Sequence, residues 1–391
     1  MDQIEERLLE EVADLHGVPE GAYNIRANGQ MAGRNTTANI DIATKTDKPG
    51  IDIRIKPGTK HESVHIPVVL SASGLKEVVY NDFYIGDDAD VVIVAGCGIH
   101  NCGVQDSEHD GIHRFFVGRN AKVKYVEKHY GEGEGTGKRI LNPGTEVYME
   151  ENSLMEMEMV QIRGVDSTIR TNKAQLAAGA KLLVRERLLT HGDQTAESVY
   201  DVELNGDDSS ADVVSRSVAK DRSRQVFKSN IIGNAKCSGH TECDAIIMDD
   251  AKIVAVPGLV ADNIDAALIH EAAIGKIAGE QIIKLMTLGL TEEEAGKRGL
   301  KVRCGHFSME ENGRSIISGE QDGFIQLMFE AYSNTIVGAQ MMCPRATDMI
   351  GEIATAIANG LTAEQMSFAM RAQPTYNEGI GAAIADALRK A

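Results

Sequence analysis

The hydrophobic positions of this chain fall into three rhythms. From Asp2 to about His16, Ile4, Leu8, Leu9, Val12 and Leu15 recur at helical spacing and Gly17 supplies a stop, so a short helix is predicted. From about Ala38 to Ala267 short alternating runs take over, among them NIDIATKT, ADVVIVAG, AKVKYVEKHY, SLMEMEMVQIRG and AKIVAVPGLVA. Alternation rich in β-branched residues predicts strands. A local pattern recurs ahead of many of them: in GRNAKVKY, EENSLMEM, AAGAKLLV and MDDAKIVA, polar or Gly turn residues are followed by one Ala or Ser. So many short strands with repeated turns fit a parallel β-helix or related solenoid, and the same pattern admits a β-sandwich.

From Gly275 onward the helical rhythm returns. IGKIAGEQIIKLMTLG places Ile277, Ile282, Leu285 and Met286 on one face, and LTEEEAG opens a second helix with Thr291 as N-cap and Glu294 completing a capping box. Beyond Gly299, GFIQLMFEA and TIVGAQMMC read as strands ahead of three helical runs, ATDMIGEIATAIANG, LTAEQMSFAM and NEGIGAAIADALRKA. The tail is therefore an α+β unit of domain size, with a boundary between Gly289 and Val302.

Composition narrows the function classes. A net charge of −18 disfavours nucleic acid and anionic membrane as partners, and no apolar stretch approaches the roughly 20 residues needed to span a bilayer. The acidic N-terminus is not a signal peptide, and six cysteines in a chain of 391 residues without secretory signals point to reduced thiols in a cytoplasm.

Two stretches could carry metal or redox chemistry. Cys97 and Cys102 in CGIHNCG, with His100 between and His109 and His113 beyond, offer thiolate and imidazole ligands, although two small buried residues in a turn would read the same. Further on, Cys237, His240, Cys243, His270 and Glu271 supply thiolates, imidazoles and a carboxylate. Residues roughly 30 apart stack on neighbouring coils of a solenoid, which would bring Cys243 towards His270 and Glu271. Cys304 and Cys343 read as structural. GEGEGTGKRI imitates a phosphate-binding loop, but Glu132 stands at the first Gly position and Arg139 replaces the Ser or Thr, so a turn between strands is the reading.

Several unusual words then identify a family. GCGIHN, HDGIHRFFVG, VEKHYGEGEGTGKRILNP, VSRSVAKDRSRQVF, ECDAIIMD and ALIHEAAIGKIAGEQIIKLMTLGLTEEEA resemble the SufB/SufD family of iron–sulfur cluster assembly scaffolds, through about residue 295. The resemblance implies a right-handed parallel β-helix with flanking helices, an ABC-type ATPase partner (SufC), pairing with another scaffold subunit or with itself, a transient iron–sulfur cluster and acceptor apoproteins. It implies cluster assembly at Cys243, His270 and Glu271, with Cys97, Cys102, Cys237 and His240 as secondary candidates. It also places SufC docking on a helical segment at about Gly279 to Leu290.

The tail, about residues 289–391, resembles the C-terminal dimerisation domain of dihydrolipoamide dehydrogenase. AQPTYNE stands where that family writes HPTxxE, so Gln373 replaces the acid–base His while Glu378 remains. No GxGxxG follows a strand, and neither FAD nor NAD is expected. The expected organisation is a helical segment at 1–30, a mainly β core at 31–275, a helical docking segment at 276–300 and a small α+β dimerisation domain at 301–391. The function expected is a scaffold with a non-catalytic appendage. The alternatives are a redox-enzyme subunit and a fusion product without a catalytic role.

Overall fold

The computed structural model describes residues 3–15, 17, 19–276 and 287–390 and divides into two compact units, 1–277 and 278–391. The first begins with α1 (Gln3–Ala13), whose Leu8, Leu9 and Val12 are buried against Ile25, Val69 and Tyr130. Two ten-stranded sheets follow. One holds β1 (Ala22–Ala27), β2 (Gln30–Asn35), β5 (Lys60–Leu70), β7 (Asp90–His100), β9 (Lys122–Glu132), β12 (Leu154–Arg163), β14 (Lys181–Thr190), β16 (Ser210–Ala219), β18 (Ser238–Ile247) and β20 (Ala267–Lys276). The other holds β3 (Ile40–Thr44), β4 (Gly50–Ile55), β6 (Lys76–Ile85), β8 (Ser107–Val117), β10 (Arg139–Leu141), β11 (Gly144–Met149), β13 (Ser167–Leu176), β15 (Thr195–Leu204), β17 (Arg224–Gly233) and β19 (Lys252–Ala261).

From β5 onward the chain alternates between the sheets, and each strand pairs in parallel with the strand one turn later. This is a parallel β-solenoid of about 8 turns, which decides between the two architectures the alternation admits. Strands begin already at Ala22, inside the segment expected to be helical, and β1–β2 and β3–β4 are antiparallel pairs that open the stack.

The turns explain the recurring pattern ahead of the strands. Asp88, Asn120, Asn152, Gly179 and Asp208 all have φ between 56 and 67°, and the residue after each is a buried Ala or Ser. Asn, Asp and Gly tolerate the left-handed region, whereas a Cβ-branched residue there is strained. The small residue next in line enters the stack with almost no room: Ala89, Ala121 and Ala180 are fully buried, and Ser153 nearly so. Each of these amides donates back across its turn, Ala121 to the Gly118 carbonyl at 3.2 Å.

Inside, the apolar residues form one continuous core, with Phe83 stacked on Phe115 at 4.5 Å and Met155, Met157 and Met159 in the middle turns. On the outer face, Tyr84, Phe116 and Tyr148 stack rung upon rung at 5.1 and 5.3 Å.

The second unit is an antiparallel sheet in the order β21 (Thr287–Gly289), β24 (Ile336–Met342), β23 (Phe324–Glu330), β22 (Val302–Ser308). Its helices are α2 (Glu292–Lys297), α3 (Gly313–Ser318), α4 (Ala346–Ala358), α5 (Ala363–Ser367) and α6 (Glu378–Arg389). The Thr291–Glu294 capping box opens α2 as expected. Ile325, Leu327, Phe329, Ile353, Ile380 and Ile384 make the core. Strand β22 had no periodic signal of its own; VRCGHFS becomes a strand because β23 offers its edge. The helix expected over 275–289 is not observed where the chain is described: Gly275 and Lys276 end β20, and Thr287–Gly289 is a strand. Residues 277–286, with most of the stretch from about Gly279 to Leu290 expected to dock SufC, lie outside the described residues.

Replacing Asn152 tests the turn argument. Asn152→Val is expected to lose about 1–2 kcal/mol of stability and Asn152→Gly to lose much less, read from urea midpoints.

A candidate thiol and imidazole site in the solenoid interior

Side chains alternate strictly between interior and solvent along these strands, and parallel register keeps paired residues on the same face. Most inward positions are apolar. A second lane is not: Cys97 on β7, His109 and His113 on β8, Glu127 and His129 on β9, Arg170 on β13 and Glu186 on β14 all point inward and are at least nine-tenths buried. All but His109 sit two or four residues from a buried apolar neighbour on the same face, as Arg170 does from Ala174.

Buried charge survives only when it is paired and hydrogen-bonded. Here it is both. Arg170 Nη1 donates to Glu127 Oε2, and Tyr125 donates its hydroxyl to Glu127 Oε1 at 3.0 Å. Arg170 Nε also lies 3.6 Å from Glu186, whose oxygens accept from Ser198 at 2.6 Å, Ser215 at 2.7 Å and Tyr200 at 3.1 Å. Burial would raise the Glu127 carboxyl, but Arg170 and then His129 hold it well below the usual range. At the near end, His109 is joined to Glu77 at 3.0 Å, and Arg26 donates to the same carboxylate at 2.9 Å.

Cys97 lies between two of these imidazoles. Burial alone would push its thiol up, yet the charge and hydrogen bond of His109, then of His129, bring it from 9.0 down to about 7. Against the opposing effect of burial, the thiolate and Glu77 lift His109 to about 10, while Glu127 and Cys97 lift His129 to about 9. The outcome is a thiolate–imidazolium group sealed in the solenoid, a soft nucleophile and ligand prepared at neutral pH. His113, a few ångströms further along, is held neutral by burial, at about 4, and joins Tyr125 at 2.9 Å.

Cys243 is the opposite case. It points inward from β18, 1% exposed, next to Ser215 of the preceding turn. Burial pushes its thiol up to about 11, with the negative charges of Glu186 and Asp244 adding. His270 pairs with Thr241 in the β18–β20 register and therefore shares the inward face with Cys243, and its Nδ1 is buried with no hydrogen-bond partner among the described residues. Glu271 pairs with Glu242 on the outward face and is exposed, so the three residues named for cluster assembly do not converge within one chain. Among the described residues no group of three or more His, Cys, Asp and Glu is arranged to hold a metal ion.

The other candidates separate as well. Cys237 is buried, its thiol raised by burial; His240 faces outward and pairs with Asp212 at 2.7 Å. Cys102 is exposed on the loop after β7. In the second unit, Gln373 is exposed and Glu378 opens α6. Sequence reasoning missed Glu127, His129, Arg170 and Glu186. Period-two counting could have found them: YVEKH puts Glu127 and His129 on the parity of buried Tyr125, TIRTNKAQL puts Arg170 on that of Ala174 and Leu176, and LLVRERLL puts Glu186 on that of Leu182 and Val184.

The fold and this interior define a class: a thiol-bearing parallel β-solenoid carrying a separate α+β unit. Residues 77–298 match the family described as SUF system FeS cluster assembly, SufBD core domain, and the chain belongs to that family. It is 30% identical over 260 residues to an iron–sulfur cluster assembly SufBD family protein of Archaeoglobus fulgidus, covering 65% of this chain and 68% of that one. It is 26% identical over 269 residues to the corresponding protein of Methanothermobacter thermautotrophicus, covering 68% of this chain and 63% of that one. Residues 267–384 match the pyridine nucleotide-disulphide oxidoreductase dimerisation domain, so the two matches overlap from 267 to 298. Over 131 residues the chain is 36% identical to the dihydrolipoyl dehydrogenase of Bacillus subtilis, covering 28% of each.

The Cys97 environment makes a pH-dependent prediction. As a thiol made more acidic by folding, Cys97 adds stability that is full above pH 9.0 and is lost as pH falls through about 7. His109 adds stability that is full below pH 6.5 and is lost as pH rises through about 10. Thiolate absorbance, taken as the difference from Cys97→Ala, should titrate near 7 in the wild type. In His109→Asn it should titrate at distinctly higher pH, because burial then acts with one imidazolium fewer.

Proposed function

We propose that this chain is a scaffold for iron–sulfur cluster assembly, with Cys243 and His270 as ligands to the nascent cluster. The observation that carries this reading is their placement. Both face inward on adjacent strands at the last described turn, and His270 keeps a buried Nδ1 unpartnered among the described residues. Thiolate and imidazole suit iron and sulfide. The iron and sulfide are the cargo of the reaction. Because the Cys243 thiol is held protonated, iron binding there releases a proton, and the site loads more readily as pH rises.

Glu271 faces outward and cannot complete that site from the same strand, which favours assembly at a junction with a second scaffold subunit, another copy or a related chain. In this reading an ABC-type ATPase, SufC, drives the junction, the cluster passes to acceptor apoproteins, and the work takes place in the cytoplasm. The C-terminal unit adds self-association without flavin chemistry, since Gln373 cannot shuttle a proton near neutral pH as the family's His does.

Anaerobic reconstitution with iron, sulfide and the ATPase partner tests the reading. Wild type should develop a visible charge-transfer spectrum, and Cys243→Ala should lose at least about nine-tenths of it. A full cluster signal in Cys243→Ala would overturn the assignment.

A further inference from the structure

Outside the solenoid core, three side chains on two adjacent turns form a second constellation. Cys102 Sγ lies 2.9 Å from His100 Nε2, and His100 Nδ1 lies 2.9 Å from Glu132 Oε1. The thiol is exposed, while the imidazole and carboxylate side chains are only 15% and 16% exposed. Glu132 is itself fixed: Arg7 of α1 donates to Oε1 and the Tyr130 hydroxyl donates to Oε2 at 3.2 Å. Burial works against its charge, but Arg7 and His100 outweigh that and keep it ionised. An ionised Glu132 accepts a hydrogen bond from His100 Nδ1–H, a tautomer that leaves Nε2 bare and facing the thiol. Nucleophile, base and orienting carboxylate stand in line, the order in which activated cysteines are built.

The loop holding Cys102 is also braced. Asn101 Nδ2 donates to the Gln105 carbonyl at 2.8 Å, and the Gly103 amide donates to Asn101 Oδ1 at 3.0 Å. The glycine-rich run that imitates a phosphate loop lies flat against it one turn on. Gly135 N donates to Asn101 O and Gly137 N to Gly103 O, both at 3.0 Å. A Cβ at Gly135 would stand 2.3 Å from the Gly103 carbonyl oxygen, so only glycine lets the two backbones meet. The rejected motif thus has a physical role as the backing for the Cys102 loop.

We propose that Cys102 is a surface nucleophile, activated by His100 and Glu132, that accepts sulfane sulfur from a persulfide or polysulfide donor. The inference rests on the cluster-assembly reading for its purpose, and on its own geometry for its chemistry. The thiol proton passes to His100 Nε2, and the thiolate attacks the terminal sulfur of R–S–SH. A Cys102 S–S bond forms as the donor's S–S bond breaks, and the departing R–S⁻ takes the proton from the imidazolium. Sulfur moves at constant oxidation level, so no oxidant or reductant is consumed. Exposure admits a donor that Cys97, sealed in the interior, cannot meet directly.

The test uses the reduced full-length chain and inorganic polysulfide under anaerobic conditions. Samples are trapped with an alkylating reagent and mapped by peptide mass spectrometry. Cys102 should gain one sulfur at least about tenfold faster than Cys304 of the same molecule. His100→Ala should slow Cys102 by about tenfold or more, and added imidazole should restore part of the rate. Glu132→Gln should slow it while shifting its pH profile. Equal rates at Cys102 in wild type and His100→Ala, or a Cys102 no faster than Cys304, would overturn the proposal. Reconstitution of the wild type from free sulfide and iron is run in parallel. If that fails while Cys102 takes up sulfur as stated, the scaffold reading falls and the nucleophile stands.

Discussion

The ion pair between Glu127 and Arg170 is the interaction on which the interior depends. A parallel solenoid has no solvent inside, so a carboxylate on an inward position of β9 would cost several kcal/mol unless a cation met it from the facing sheet. Arg170 does so from β13, and the planar guanidinium has donors left for Met159 and Glu186. That single cation links Glu127 to Glu186 and keeps Glu127 ionised. With Glu127 ionised, His129 stays protonated, and a protonated His129 helps hold Cys97 as a thiolate. The acidity of a cysteine on β7 thus traces back, through two strands, to an arginine more than seventy positions along the chain.

Stack geometry adds a second constraint. From β6 to β12 of the solenoid, paired residues are 32 apart, as Val91 and Val123 are; from β12 onward the step shortens, Leu154 pairing with Lys181 and Ser210 with Ser238. The extra residues of the early turns sit in the loops after β7 and β9, the ones that carry Cys102 and the glycine run. From β12 to β20 every strand has 10 residues, because inward packing allows no slip: one residue would turn Glu127 and Arg170 outward and two apolar rows to water. Variation is therefore confined to loops, and there the longer turns supply the surface chemistry.

Much of the fold could be read from the chain. The Asn, Asp or Gly turn followed by a small residue is a local rule, set by φ and by the narrow space at each corner, and it repeats visibly. The solenoid itself was legible only with the family resemblance, since alternation says nothing of which strands pair. Strand β22 was invisible because its conformation is imposed by a neighbour. The candidate site was half legible. Cys97, Cys102, His109 and His113 stood out as residue types that bind metals, but His129, Arg170 and Glu132 join them only through the register. A 32-residue step carries no signal until the turns are aligned.

The same register separates two kinds of cysteine chemistry that sequence proximity merges. Cys97 and Cys102 are five positions apart in one motif and look like a redox or metal pair. An odd spacing along a strand that ends at His100 puts one thiol in the core and the other on the surface, with different bases and different access. Neither disulfide formation nor shared ligation follows from their closeness. Each thiol instead has its own imidazole and its own carboxylate: His109 with Glu77 inside, His100 with Glu132 outside. Two such sets on neighbouring turns let a single chain keep one thiol shielded in the interior and leave the other open to solvent.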